Sequence, residues 1–155
     1  MPVIEAGHQA PEFSLERCHG ETFTRADLLG KRTVLVFYPY AFSPVCTDQL
    51  SVYNELRDDF AARGATLYGV SCDAAYSQEA FKNSLGVDIE QLSDFEPKGA
   101  ACTAFGVLHP AGKPQRALVL IGPDGIVEWS YEAASTGELP GANLIFDALD
   151  AAPAH

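Results

Sequence analysis

No stretch of this sequence approaches the ~20 consecutive apolar residues that a membrane-spanning helix requires, and the start, MPVIEAGHQAPEF, has neither the basic stretch nor the apolar core of an export signal. A soluble, cytoplasmic protein is expected. Positive charge is also scarce. Ten Lys and Arg face 21 Asp and Glu, for a net charge of −11 and an isoelectric point near 4.6. The basic residues are scattered, so nothing overrides the acidic surface to attract phosphate backbones or anionic headgroups; nucleic acid and membrane are not expected partners. Cysteine is sparse: Cys18, Cys46, Cys72 and Cys102 are separated by 28, 26 and 30 residues. That spacing lacks the short CxxC or HxxxH pairs of zinc and dithiol oxidoreductase sites, so no metal or cofactor is expected. Without an export signal, no disulfide framework is expected either. His8, His19, His109 and His155 have no visible ligand partners.

What is present is an ordinary globular balance. Of 155 residues, 47% are hydrophobic and 20% charged, enough for one core, and no repeat, linker or low-complexity segment divides the chain. One domain over residues 1–155 is expected. FSLE and ETFT around His19-Gly20 predict a short N-terminal hairpin, and Thr24 with Asp27 forms a capping-box variant before Leu28-Leu29 and Gly30. TVLVFY at 33–38 is a continuous β-branched and aromatic run, as in a strand covered on both faces. After Pro39 the period turns helical: Cys46, Leu50, Tyr53 and Phe60 fall on one stripe, with Leu56 beside it, and Gly64 stops the helix. TLYGVS at 66–71 predicts a second buried strand. A helix over 76–85, a loop containing LSDFEPKG and a short helix over 98–105 follow. RALVLIG and IVEWSYE then flank the turn Pro123-Asp124-Gly125, and a last helix covers 142–151. The order predicts an α/β domain, a mixed sheet with helices on both faces and an N-terminal hairpin extension, compatible with a thioredoxin-like fold.

Chemistry concentrates at the start of the first long helix. Ser43 can cap it, Pro44 occupies the favoured first position, and Cys46 lies in the first turn, where backbone N–H groups lack intrahelical acceptors. A thiolate is favoured there, and the thiolate is the nucleophile. The opposing reading is a small buried hydrophobe, since Cys46 sits on the apolar stripe. The segment PYAFSPVC decides for function: Pro39-x-x-x-Ser43-x-x-Cys46 after a hydrophobic strand resembles the Pro-x-x-x-Thr/Ser-x-x-Cys signature of peroxiredoxins. GVSCD, QLSDFEPKG, AFGV and QRALVLIGPDGIVEW are similar to the corresponding stretches of that family, so the resemblance runs from about residue 3 to 150. It is nearest to the bacterial alkyl hydroperoxide reductase E and bacterioferritin-comigratory-protein-like group.

That resemblance implies a thioredoxin-fold peroxidase without a bound cofactor. In it Cys46 is the peroxidatic cysteine, Ser43 its hydroxyl partner toward the peroxide, Pro39 the shield against water and Arg116 the activating guanidinium. The cycle it implies oxidises Cys46 to a sulfenic acid, which an external thiol reduces: thioredoxin, a glutaredoxin-like protein or a low-molecular-weight thiol. A homodimer packing loops near the active site is also implied. Two positions depart from the family. Gln49 stands where many relatives carry Glu, so it can orient Arg116 only through its amide, and Ser51 stands where an intrahelical resolving cysteine would be. Cys72 and Cys102 read as structural, and a resolving part for Cys18 is the lesser reading, so a one-cysteine cycle is expected. A thioredoxin-like reductase would need a second thiol just beyond Cys46, where Thr47 and Asp48 stand. The alternative is a peroxide-sensing relay or binding module built on the same cysteine.

Overall fold

The computed structural model describes residues 3–17, 20–95, 97–110, 112–135 and 138–151. Along the chain run β1 (Ser14–Arg17), β2 (Thr22–Thr24), a 3₁₀ turn (Arg25–Leu28), β3 (Arg32–Phe37), α1 (Pro44–Glu55), α2 (Arg57–Ala62) and β4 (Ala65–Ser71). Then come α3 (Ala75–Leu85), β5 (Glu90–Ser93), α4 (Ala100–Ala104), β6 (Ala117–Ile121), β7 (Val127–Glu132) and α5 (Ala142–Ala151). The strands form one mixed sheet in the order β2-β1-β5-β4-β3-β6-β7. β3, β4 and β5 are parallel, and β1, β2, β6 and β7 pair antiparallel with their neighbours.

Strand periodicity sorts the core into two layers, because successive side chains leave opposite faces of the sheet. Val34 and Val36 of β3, with Leu118 and Leu120 of β6, pack on one face against α1, α2, α3 and α5. Leu35, Phe37, Val119 and Ile121 pack on the other against α4 and the N-terminal hairpin. Both central strands are buried throughout, which is why their sequences read as unbroken apolar runs. The helices therefore lie on both faces, as expected from the order of elements.

Two local expectations need correction, and a third is borne out. The helix predicted to run on to Gly64 is interrupted at Leu56, whose φ of −103° and ψ of 7° separate α1 from α2. Its amide turns back to the Tyr53 and Asn54 carbonyls. At this break the loop before β5 docks: Asn54 Oδ1 accepts the Asp88 amide at 2.8 Å, and Arg57 pairs with the Asp88 carboxylate at 2.6 Å. Leu56 still faces the core, so apolar spacing cannot reveal the break. LSDFEPKG is not wholly loop, because Leu92 and Ser93 end β5, a strand made by pairing with β4 and β1 rather than by local propensity. The Thr24–Asp27 pair caps a 3₁₀ turn, with the Thr24 amide donating to Asp27 Oδ2 at 2.8 Å. The N-terminal hairpin forms, but Cys18 and His19, which fall between its strands in sequence, lie outside the described residues, as does His155.

Candidate active site

The segment leading to Cys46 begins where β3 stops. Tyr38 continues the ladder through its amide to the Val70 carbonyl at 3.0 Å, and its hydroxyl donates to Gln91 Oε1 at 2.7 Å. Gln91 fits because Gly69 lies opposite: a Cβ on Gly69 would come within 2.3 Å of the Gln91 amide oxygen. Pro39 is buried at the mouth of the following loop. A second tie holds that loop, since the Ala41 amide donates to Asp73 Oδ2 at 2.8 Å and the same carboxylate accepts the Ser71 hydroxyl. Immediately after the second anchor Phe42 adopts φ +68°, a conformation costly for a non-glycine residue and characteristic of over-determined functional loops.

Ser43 sits at the helix N-cap, but its hydroxyl does not cap. It donates instead to the Tyr40 carbonyl at 3.0 Å, inside the same tight loop. The first intrahelical bond runs from the Thr47 amide to the Ser43 carbonyl at 2.9 Å. The amides of Val45 and Cys46 therefore precede the helical ladder and point at the helix entrance, where they can stabilise negative charge.

The buried face of α1 carries Cys46, Gln49, Leu50 and Tyr53, the i, i+3, i+4, i+7 stripe of an amphipathic helix. Two of its four members are polar, and they form a network with Arg116, which lies just before β6. Arg116 is only 2% exposed and Cys46 is fully buried. Arg116 Nη2 donates to Cys46 Sγ at 3.2 Å, while Nη1 donates to Gln49 Oε1 at 2.6 Å. Since a guanidinium can only donate, the Gln49 amide must present its oxygen to Arg116 and its Nε2 to Tyr53 Oη, 3.3 Å away. Tyr53 in turn donates to the Pro140 carbonyl at 2.6 Å. Burial pushes its phenol up to about 12, so it stays a donor through the neutral range.

The structure thus brings Cys46, Arg116 and Gln49 into one network and places Pro39 and Ser43 in the adjoining loop. Gln49, despite lacking charge, contacts Arg116 directly. Sequence reasoning passed over two positioning residues. Tyr53 reads only as part of the apolar stripe, and Asp73, which holds the loop, enters only as the last residue of GVSCD; its signal is a polar side chain two residues after a buried strand. Cys72 and Cys102 are buried in the core layer opposite the one containing Cys46, so the sheet lies between them and the Cys46 sulfur. Gln49→Ala is expected to slow oxidation of Cys46 about tenfold, the low end for losing a hydrogen bond to a charged group, with stopped-flow kinetics as the check.

Residues 6–130 match the model of the AhpC/TSA family. A peroxiredoxin of Thermotoga petrophila is 30% identical over 133 residues, covering 82% of this chain and 61% of its own length. The chain thus spans less than two thirds of that relative. A bcp peroxiredoxin of Helicobacter pylori is 31% identical and is covered more fully, 83% of this chain against 88% of the relative. Among solved structures, peroxidoxin BcpB of Mycobacterium tuberculosis superposes with a TM-score of 0.83 at 27% identity, covering 96% of this chain and 97% of that one.

Proposed function

Because the chain belongs to the AhpC/TSA family of peroxiredoxins, we propose that residues 1–155 act as one thiol-dependent peroxidase domain that reduces hydrogen peroxide and organic hydroperoxides at Cys46. One observation carries this reading. Arg116 directs two donors of a single planar fork, one at the Cys46 sulfur and one at Gln49, with both the guanidinium and the sulfur buried. A guanidinium fixed in that way already points at the place where negative charge moves during the reaction.

In the proposed step the Cys46 thiolate attacks one peroxide oxygen. The S–O bond forms as the O–O bond breaks, and the second oxygen leaves with the electron pair, to be protonated to water or an alcohol. Arg116 and the amides of Val45 and Cys46 stabilise the charge on both oxygens, and Ser43 contributes once its hydroxyl turns from the Tyr40 carbonyl. Pro39 keeps water from the sulfur. Gln49, held by Tyr53, is a positioning residue for Arg116. The sulfenic acid is then reduced by an external thiol, which forms a mixed disulfide and releases water, and a second thiol frees Cys46. The reductant is thioredoxin, a glutaredoxin-like protein or a small thiol. A one-cysteine cycle is supported by Ser51 at the intrahelical resolving position and by the separation of Cys46 from Cys72 and Cys102 across the sheet. The test is peroxide consumption driven in turn by each class of thiol. Turnover with none of them counts against the peroxidase reading.

Two exposed aromatics, Tyr40 and Phe42, flank the loop before Cys46, and Phe42 is 56% exposed. They support a homodimer that packs loops near the active site. Sedimentation of the wild type is expected to give a dimer and Phe42→Glu a monomer-rich population. A wild-type monomer at micromolar concentration would count against this interface. Among the described residues no helix is long and apolar enough to cross a membrane, and the cytoplasm is the proposed location.

A further inference from the structure

On the sheet face opposite Cys46, three buried groups converge. Cys72 follows the last residue of β4, Cys102 lies in α4, and Asp94 follows β5; their two sulfurs and a carboxylate oxygen all lie within 4.8 Å of one another. Asp94 is occupied with α4, accepting the Ala101 amide at 3.0 Å and the Cys102 amide at 2.8 Å. Its contacts fix the start of the short helix and with it the Cys102 side chain. The peroxidase cycle proposed above uses neither thiol.

We propose that Cys72 and Cys102 form a second redox centre, an internal dithiol that hydrogen peroxide converts to a disulfide. The two thiols are unlike. Cys72 is 9% exposed and Cys102 fully buried, so a small oxidant reaches Cys72 first. A hydrogen bond from Cys102 lowers the Cys72 thiol below the ordinary cysteine range, and the same contact, with burial, pushes Cys102 up. Cys72 is therefore the attacking sulfur and Cys102 the resolving one. Attack of the Cys72 thiolate on peroxide forms an S–O bond and breaks the O–O bond; hydroxide leaves and is protonated to water. Cys102 then loses its proton and attacks the Cys72 sulfur, an S–S bond forms, and the sulfenic oxygen departs as a second water. Two thiols and one peroxide give one disulfide and two waters. A metal fits less well, because the described residues gather three donors where a structural tetrahedral site needs four. The pair adjoins Asp73, which holds the Ala41 amide of the loop before Cys46, so the bond would form one residue from an anchor of the active site.

This inference does not rest on the chemistry of Cys46, and its test removes that residue. The full-length Cys46→Ser protein is reduced, treated with hydrogen peroxide, alkylated and digested with trypsin. Each cysteine falls in its own peptide: 18–25, 33–57, 64–82 and 99–116. The expected result is loss of two alkylatable thiols and a joined 64–82/99–116 peptide that disappears on reduction. In Cys102→Ala, Cys72 is expected to accumulate as a sulfenic acid trapped by a dione probe. If Cys46→Ser does not fold, the wild-type digest gives the same readout, since the peptides are distinct. The proposal is overturned if both peptides stay fully alkylated, if Cys72 carries only oxygen adducts or joins the 18–25 peptide, or if the untreated protein carries zinc that masks both thiols.

Discussion

Cys46→Ser is expected to abolish peroxide turnover, with a fall of more than about a thousandfold in rate, the scale seen when a covalent nucleophile is removed. Serine is close to cysteine in size and keeps a group able to accept the Arg116 hydrogen bond. The fully buried position should therefore stay filled and the thermal midpoint close to wild type. The pairing of intact stability with lost turnover separates chemistry from collapse. Residual peroxide consumption above the background of the other thiols would place the peroxidatic sulfur elsewhere, and would weigh against every part assigned to the loop 39–43.

Arg116→Ala is the second large effect, a slowing of Cys46 oxidation by about a hundredfold, or roughly 2.7 kcal/mol of barrier. The substitution takes away the donor 3.2 Å from Cys46 Sγ and also the partner of Gln49 Oε1, leaving a buried amide oxygen unpaired. A stability loss of about 1–3 kcal/mol should accompany it. Arg116→Lys discriminates between charge and geometry. An ammonium keeps the charge but lacks the planar fork that serves Cys46 and Gln49 together, so only a partial return of rate is expected. Full recovery in Arg116→Lys, read by rapid-mixing kinetics, would mean that charge alone suffices and that the bond to Gln49 is incidental.

How much of this was legible in the sequence follows from how far apart the contributing residues lie. Pro39, Ser43 and Cys46 occupy one short stretch whose strand-to-helix transition is visible from hydrophobic period alone, so the loop and its thiol could be located directly. Arg116 is 70 residues from Cys46 in sequence. No local pattern singles it out, and it was placed only through the family resemblance. Gln49 departs from that pattern, and the structure places it against Arg116, where its amide oxygen accepts what a carboxylate oxygen would.

The misses have physical causes as well. A tyrosine has an apolar body and a polar tip, so Tyr53 satisfies the apolar stripe while its hydroxyl links Gln49 to Pro140. Ser43 occupies the expected cap position, yet the Tyr40 carbonyl lies close enough to take its hydroxyl. β5 has one large apolar side chain in four residues and exists because β4 and β1 lie on either side of it. The convergence of Cys72, Asp94 and Cys102 depends on three elements meeting in space, which spacing along the chain does not show.

The most direct test of the central claim is stopped-flow mixing of the reduced protein with hydrogen peroxide, followed by fluorescence of the single tryptophan, Trp129, with mass analysis of the product. Trp129 packs beside the core layer that contains Cys46, so it is suited to report the reaction. The prediction is a fast phase, orders of magnitude quicker than a free thiol, that is absent in Cys46→Ser and yields one added oxygen on Cys46. Reaction of Cys46 no faster than a free thiol would contradict the account and favour a sensing or binding module over a peroxidase.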